Sequence, residues 1–139
     1  MSLYLVDKSA FEQQRHSRAA DELLRILAAE GRLAVCEMVA LELLHSTRGA
    51  EDYESRRAGL ESLIRLPMDH DVARMALDIQ RRLVHAGLHR RPIPDLLIAA
   101  TALVHEATVL HYDKDFDLIA SVTGQPARWI IPRGTGHGS

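Results

Sequence analysis

Cysteine is almost missing from this chain: Cys36 stands alone among 139 residues. No intrachain disulfide can form, a cysteine-based zinc site is excluded, and a reducing compartment, the cytoplasm, is expected. Aromatic residues amount to only 4%, too few rings for the stacking platforms of general single-strand binders. No apolar stretch reaches the roughly 18 residues that a membrane span needs. The N-terminus offers only Leu3 to Val6 before Asp7, so no basic-then-apolar secretion signal is read there. A basic surplus is lacking too. The formal net charge is −2, whereas proteins that live by non-specific duplex binding carry a strong positive excess. Any nucleic-acid contact must come from a local patch or through a bound cation. Histidines number eight, and none falls in a compact ligand pattern such as His-Glu-x-x-His.

What is present is the balance of a soluble globular domain: 47% hydrophobic and 26% charged residues, in a length that suits one core and is too short for two. Residues 1–131 are expected to form a single domain, and 132–139, rich in glycine, a flexible C-terminal tail. Leu3 to Val6, Leu33 to Val35, Thr108 to Leu110 and Arg128 to Ile131 read as short strands. Helices are expected over Ala19 to Glu30, Glu37 to Thr47, Gly49 to Leu63, a stretch carrying Val72, Ala76, Ile79 and Leu83, Asp95 to His105, and Phe116 to Ser121. Strands alternating with longer helices give the α/β class, with a small, mainly parallel sheet of four to five strands flanked by helices.

The acidic residues carry the chemistry. Asp7 follows the first strand and Asp113 stands just past the Thr108 strand, and functional groups of parallel sheets gather beyond the carboxyl ends of strands. Each is also an ordinary turn residue. Asp95, after Pro94, heads an apolar helix, where an N-cap role competes with a role in the crevice. Glu42 lies within Met38-Val39-Ala40-Leu41-Glu42-Leu43-Leu44, and a carboxylate among such neighbours is costly unless paired or bound to a cation. Pairing with Arg48 or His45 at a helix rim is the alternative. Asp113, Asp115 and Asp117 crowd five residues. Asp117 suits a first-turn acid favoured by the helix dipole, and Asp115 is divided between a ligand and a cap. Carboxylates gathered in one site repel one another unless Mg²⁺ or Mn²⁺ supplies the counter-charge, and such a site suits phosphodiester hydrolysis.

At these residues the chain resembles the PIN-domain nucleases, and among them the VapC toxins of bacterial toxin–antitoxin pairs. The resemblance runs from Tyr4 to Trp129. It rests on Tyr4-Leu5-Val6-Asp7-Lys8-Ser9-Ala10, Val39-Ala40-Leu41-Glu42-Leu43-Leu44, Pro94-Asp95-Leu96-Leu97-Ile98-Ala99-Ala100 and Val109-Leu110-His111-Tyr112-Asp113-Lys114-Asp115-Phe116, in that order and spacing. It implies a three-layer PIN-like fold and a Mg²⁺-dependent endoribonuclease that cuts RNA and stops translation or growth. It also implies a cognate VapB-type antitoxin and a homodimer. Asp7, Glu42, Asp95 and Asp113 map onto the family's metal-binding acids, with Asp115 as a fifth. Ser9 matches the hydroxyl that the family places near its first aspartate, where an RNA contact is expected. Two positions depart from the pattern. Lys8 stands where threonine is usual, and His111 stands where the family often has a threonine, so that an imidazole is available to a phosphate or an acid.

The stretch Arg81 to Arg91 holds four arginines, two histidines and no acid. Arg90 and Arg91 are expected to contact RNA, since the arginine fork matches phosphate. A solvated helix end whose cations complement the C-terminal dipole is the plainer reading. Three other functions fit less well. A phospho-accepting receiver domain wants adjacent acids after the first strand, an aspartyl phosphatase wants Asp-x-Asp where this chain has Asp7-Lys8-Ser9, and a PIN module serving only in binding would not need its acids.

Overall fold

The computed structural model describes residues 2–137. Five parallel strands lie in the order β3-β2-β1-β4-β5, formed by β1 (Tyr4–Val6), β2 (Leu33–Val35), β3 (Ile64–Arg65), β4 (Thr108–His111) and β5 (Ala127–Trp129). The helices are α1 (Lys8–Gln13), α2 (Arg18–Ala29), α3 (Glu37–His45), α4 (Ala50–Glu61), α5 (His70–His85), α6 (Ile93–Val104) and α7 (Lys114–Thr123).

Successive strand residues face opposite sides of a sheet, and the core divides accordingly. Leu5, Ala34 and Val109 share one cluster with Val39 of α3, Val72, Ile79 and Leu83 of α5, Ile98 of α6 and Phe116 of α7. Val6, Leu33 and Leu110 face the other way, onto Ala10 of α1 and Ala20, Leu24 and Leu27 of α2. Val35 meets Ala40 and Leu60 in a smaller cluster beneath α4. The result is three layers, helices on both faces of the sheet. Almost every strand residue of β1, β2 and β4 is buried, as central parallel strands must be.

The strand order reverses between β1 and β4, which run in register from Tyr4 opposite Thr108 to Val6 opposite Leu110. Crevices at such switch points hold the ligands of open parallel sheets. Here β1 delivers Asp7 and β4 delivers Asp113 to the same edge, and the Asp7 amide donates to the Leu110 carbonyl at 2.9 Å.

Two elements lie outside the sequence reading. Helix α1 is only six residues long, too short for periodicity to show. Strand β3 is two exposed residues with no apolar alternation. The segment expected as a flexible tail folds back as far as it is described. The Tyr112 hydroxyl accepts from the amides of Gly134 and Gly136, and buried Gln13 exchanges hydrogen bonds with the His137 backbone. A Cβ on Gly136 would stand 2.6 Å from the Gln13 amide oxygen and 2.8 Å from the Tyr112 ring, so the close approach requires glycine there. Residues 138 and 139 lie outside the described residues.

A candidate acidic metal centre

Each acid reaches the crevice by a different local device. Asp7 ends β1 in extended conformation and caps α1. Its Oδ2 accepts from the Ser9 amide at 3.0 Å and from the Ser9 hydroxyl at 2.6 Å. It is 5% exposed, and burial raises its pKa against those hydrogen bonds, with Asp113 adding repulsion. Asp113 leaves β4 and caps α7, its Oδ1 accepting from the Asp115 amide at 2.9 Å. Asp115 sits in the first turn of α7, where its Oδ1 accepts from Arg91 Nη1 at 2.9 Å. Glu42 rises from the middle of α3. Its Oε1 is buried with no hydrogen-bond partner, and its pKa is raised by burial first and by Asp7 second.

Asp95 is the centre of the group. It lies in the first turn of α6, 7% exposed, and its Oδ2 is buried with no partner. Its pKa is pushed up to about 8, by burial first and then by repulsion from Asp7, Asp113, Asp115 and Glu42. One carboxylate thus feels all four other acids singled out in the sequence. Asp95, Asp113 and Asp115 each offer an oxygen, and these three atoms lie within 4.8 Å of one another. Asp7 and Glu42 are not part of that close triad and border it electrostatically.

The competing roles for these acids resolve individually. Pro92, not Asp95, is the N-cap residue of α6, so Asp95 is not placed by capping. No ion pair joins Glu42 to Arg48 or His45 among the described residues, and the Arg48 amide binds Asp52 instead. The cap of α7 is Asp113, so of the two roles open to Asp115 the cap is taken by its neighbour. Asp117 is exposed, as expected of a bystander, yet one oxygen accepts from Trp129 Nε1 at 2.9 Å.

The expected RNA contacts change more. Arg91 is drawn inward to Asp115 rather than toward solvent, with its Nε buried and unpartnered. The Ser9 hydroxyl is spent, donating to Asp7 and accepting from the Tyr112 amide at 2.8 Å. Arg90 is exposed, at a left-handed φ of 69°, and alone of the three faces outward. His111, read as a possible phosphate contact, is fully buried. Burial lowers its pKa to about 4.

A divalent cation fits this donor set. Every donor is a carboxylate oxygen, the preference of hard ions such as Mg²⁺ and Mn²⁺. Two of those oxygens are buried without any partner, a state that ordinarily costs about 1–3 kcal/mol each and more for charged groups. The local cations do not meet the need: Arg91 engages one oxygen of Asp115, and Lys8 pairs with Glu12 at 3.4 Å.

The PIN domain family matches residues 4–122. Ribonuclease VapC18 of Mycobacterium tuberculosis is 40% identical over 136 residues, which span 96% of this chain and 98% of the relative. Ribonuclease VapC51 of the same organism is 41% identical over 133 residues, covering 95% and 96% respectively. Among solved structures, DNA-bound VapBC from Salmonella typhimurium superposes with a TM-score of 0.76 over 94% of this chain and all of that one, at 16% identity, a likeness of fold. On the extent of the family match and of these relatives, the chain belongs to the PIN-domain family, in its VapC branch.

Proposed function

We propose that this chain is a metal-dependent endoribonuclease, the toxin of a toxin–antitoxin pair, which hydrolyses RNA phosphodiester bonds to inhibit translation or growth. The observation that carries the reading is Asp95, a buried carboxylate with an unpartnered oxygen, repelled by four other acids. A site so expensive to assemble is explained by a cation. Asp95, Asp113 and Asp115 would hold Mg²⁺ or Mn²⁺, with Asp7 and Glu42 completing the acidic ring. When bound, the ion supplies counter-charge, activation of water and a contact for the phosphate. Asp7 is fixed for its part by Ser9, while the unspent Oε1 of Glu42 stands ready to accept a proton. Arg90, exposed next in sequence to the Arg91 that holds Asp115, supplies a phosphate contact.

Relatives named as ribonucleases support the substrate, and solved neighbours that are VapBC complexes support a cognate VapB-type antitoxin as partner. A homodimer and a cytoplasmic setting complete the proposal. For the dimer, Leu77 and Val84, two turns apart on α5, are 67% and 52% exposed, and Ile93 is 66% exposed; an apolar stripe of this kind suits a second copy. The test is cleavage of single-stranded RNA by purified protein with Mg²⁺, with Mn²⁺ and with chelator. Cleavage only with metal, and its loss in Asp95→Asn, is expected. Metal-independent cleavage, or an active Asp95→Asn variant, refutes the reading.

A further inference from the structure

The chain leaves β4 through two successive peptide N–H groups, and a side chain takes each. The Tyr112 amide donates to Ser9 Oγ at 2.8 Å, and that hydroxyl is bound in turn to Asp7. The Asp113 amide donates to His111 Nδ1 at 3.1 Å. The first link ties the exit of β4 to Asp7. Only the second reaches Asp113 itself.

The surroundings of His111 fit that single bond. The ring is fully buried, with Phe116 and Trp129 at centroid distances of 5.2 and 4.9 Å. An Nδ1 that accepts a hydrogen bond carries no proton, so the neutral ring bears its hydrogen on Nε2. Nε2 lies 3.8 Å from Asp117 Oδ1, too long for a hydrogen bond but close enough for the carboxylate to favour a proton there. Asp117 is itself anchored through its other oxygen to Trp129 Nε1. A buried imidazole is a poor choice for packing alone, because an unpaired polar atom costs free energy that an aliphatic side chain would not. What this ring gains in its place is the Asp113 amide.

We propose that His111 is the positioning residue of Asp113: its Nδ1 fixes the peptide that aims the Asp113 carboxylate at the cation shared with Asp95 and Asp115. The proposal rests on the metal-site reading above. Side chains that orient a ligand from behind typically contribute 10- to 100-fold to metal affinity, and His111 holds the ligand's own backbone.

The test uses the full-length chain, ¹⁵N-labelled and metal-free, and then titrated with Mg²⁺ and Mn²⁺ by calorimetry. In the unmodified protein a scalar coupling between the Asp113 amide nitrogen and His111 Nδ1 is expected across the hydrogen bond. His111→Asn places an acceptor near the Nδ1 position, and its metal affinity should stay within about threefold of wild type. His111→Leu keeps comparable bulk without an acceptor, and His111→Gln moves its amide toward the Nε2 position. Both should bind metal about 10-fold more weakly or worse, while denaturation curves show them folded. A missing coupling in the unmodified chain overturns the proposal whatever the variants do. Wild-type affinity in folded His111→Leu or His111→Gln overturns it alone and leaves the metal site standing. Wild-type protein that binds neither ion overturns the metal reading, and this proposal with it.

Discussion

Replacing Asp95 by asparagine should make the metal-free protein more stable at pH 8, by a margin that grows as pH rises. The Asp95 carboxyl is raised from 3.8 to about 8 in the folded chain. For an acid shifted upward, the folded state holds more protons than the unfolded state between those two values. Stability therefore falls as pH climbs through that window, and below about pH 4 the effect disappears. A shift of about four units at 1.36 kcal/mol each is roughly 5–6 kcal/mol of destabilisation by pH 8. Asparagine escapes this term but leaves an amide in the same buried place, an offset of about 1–3 kcal/mol. The expected gain is about 2–5 kcal/mol at pH 8, giving way to a loss of about 1–3 kcal/mol at pH 4, where only the amide offset remains. Urea unfolding in chelator from pH 4 to 8.5 measures it, and with a slope of about 1–3 kcal/mol per molar the midpoint should move by a molar or more. Saturating Mg²⁺ should shrink the variant's advantage, because binding at 100 times Kd restores about 2.7 kcal/mol to wild type and nothing to the variant. A stability difference that does not vary with pH, or an Asp95→Asn protein weaker than wild type at pH 8, would refute the reasoning.

Three further outcomes follow from the same geometry. Glu42→Gln should abolish RNA cleavage yet leave the metal-free protein at least as stable at pH 8, since burial and Asp7 already oppose the Glu42 charge; activity assays and parallel denaturation curves check it. Arg91→Ala removes the cation that, among the described residues, is bound to the acidic triad, so it should lower metal-free stability by about 1 kcal/mol and enlarge the rise in Tm produced by Mg²⁺. Arg90→Ala should weaken RNA binding and reduce the salt slope of affinity by about one, with turnover at saturating RNA unchanged; binding titrations across salt concentrations decide it.

The fold was legible where burial imposed a pattern over enough residues. The α5 stripe of Val72, Ala76, Ile79 and Leu83 is buried as its spacing requires, and the short apolar runs at Leu5, Ala34 and Val109 are the central strands. Elements whose existence depends on partners distant in sequence left no such mark. Helix α1 forms because Asp7 caps it and Ala10 finds the far face of the sheet. Strand β3 forms because Leu66 and its neighbours add to an edge already laid down by β2. Gly134 and Gly136 dock through their amides on a tyrosine hydroxyl, and a run of glycines reads identically whether it docks or frays.

The site shows the same division between composition and partnership. Each of the five acids singled out in the sequence sits at a strand end, a helix start or among apolar neighbours, where a carboxylate needs a reason to be, and in the fold Asp7, Glu42, Asp113 and Asp115 all bear on Asp95. Which of them does what depended on contacts that sequence order conceals. Asp113 and Asp115 looked interchangeable, two residues apart after one strand, until the cap fell to Asp113 and Arg91, 24 residues earlier in the chain, took Asp115. That arginine was misread for a related reason: a run of basic residues without acids suggests solvent and phosphate, yet a loop can turn one member of the run inward while its neighbour Arg90 stays out. His111 was misplaced most of all. Strand alternation puts residues 111 and 113 on one side of β4, which points His111 to the crevice, yet the ring is fully buried against Phe116 and Trp129 and meets Asp113 only through the backbone amide. An acid's presence in such a site is therefore written in its own local sequence. Its role is fixed by the cation or amide that reaches it from elsewhere in the fold.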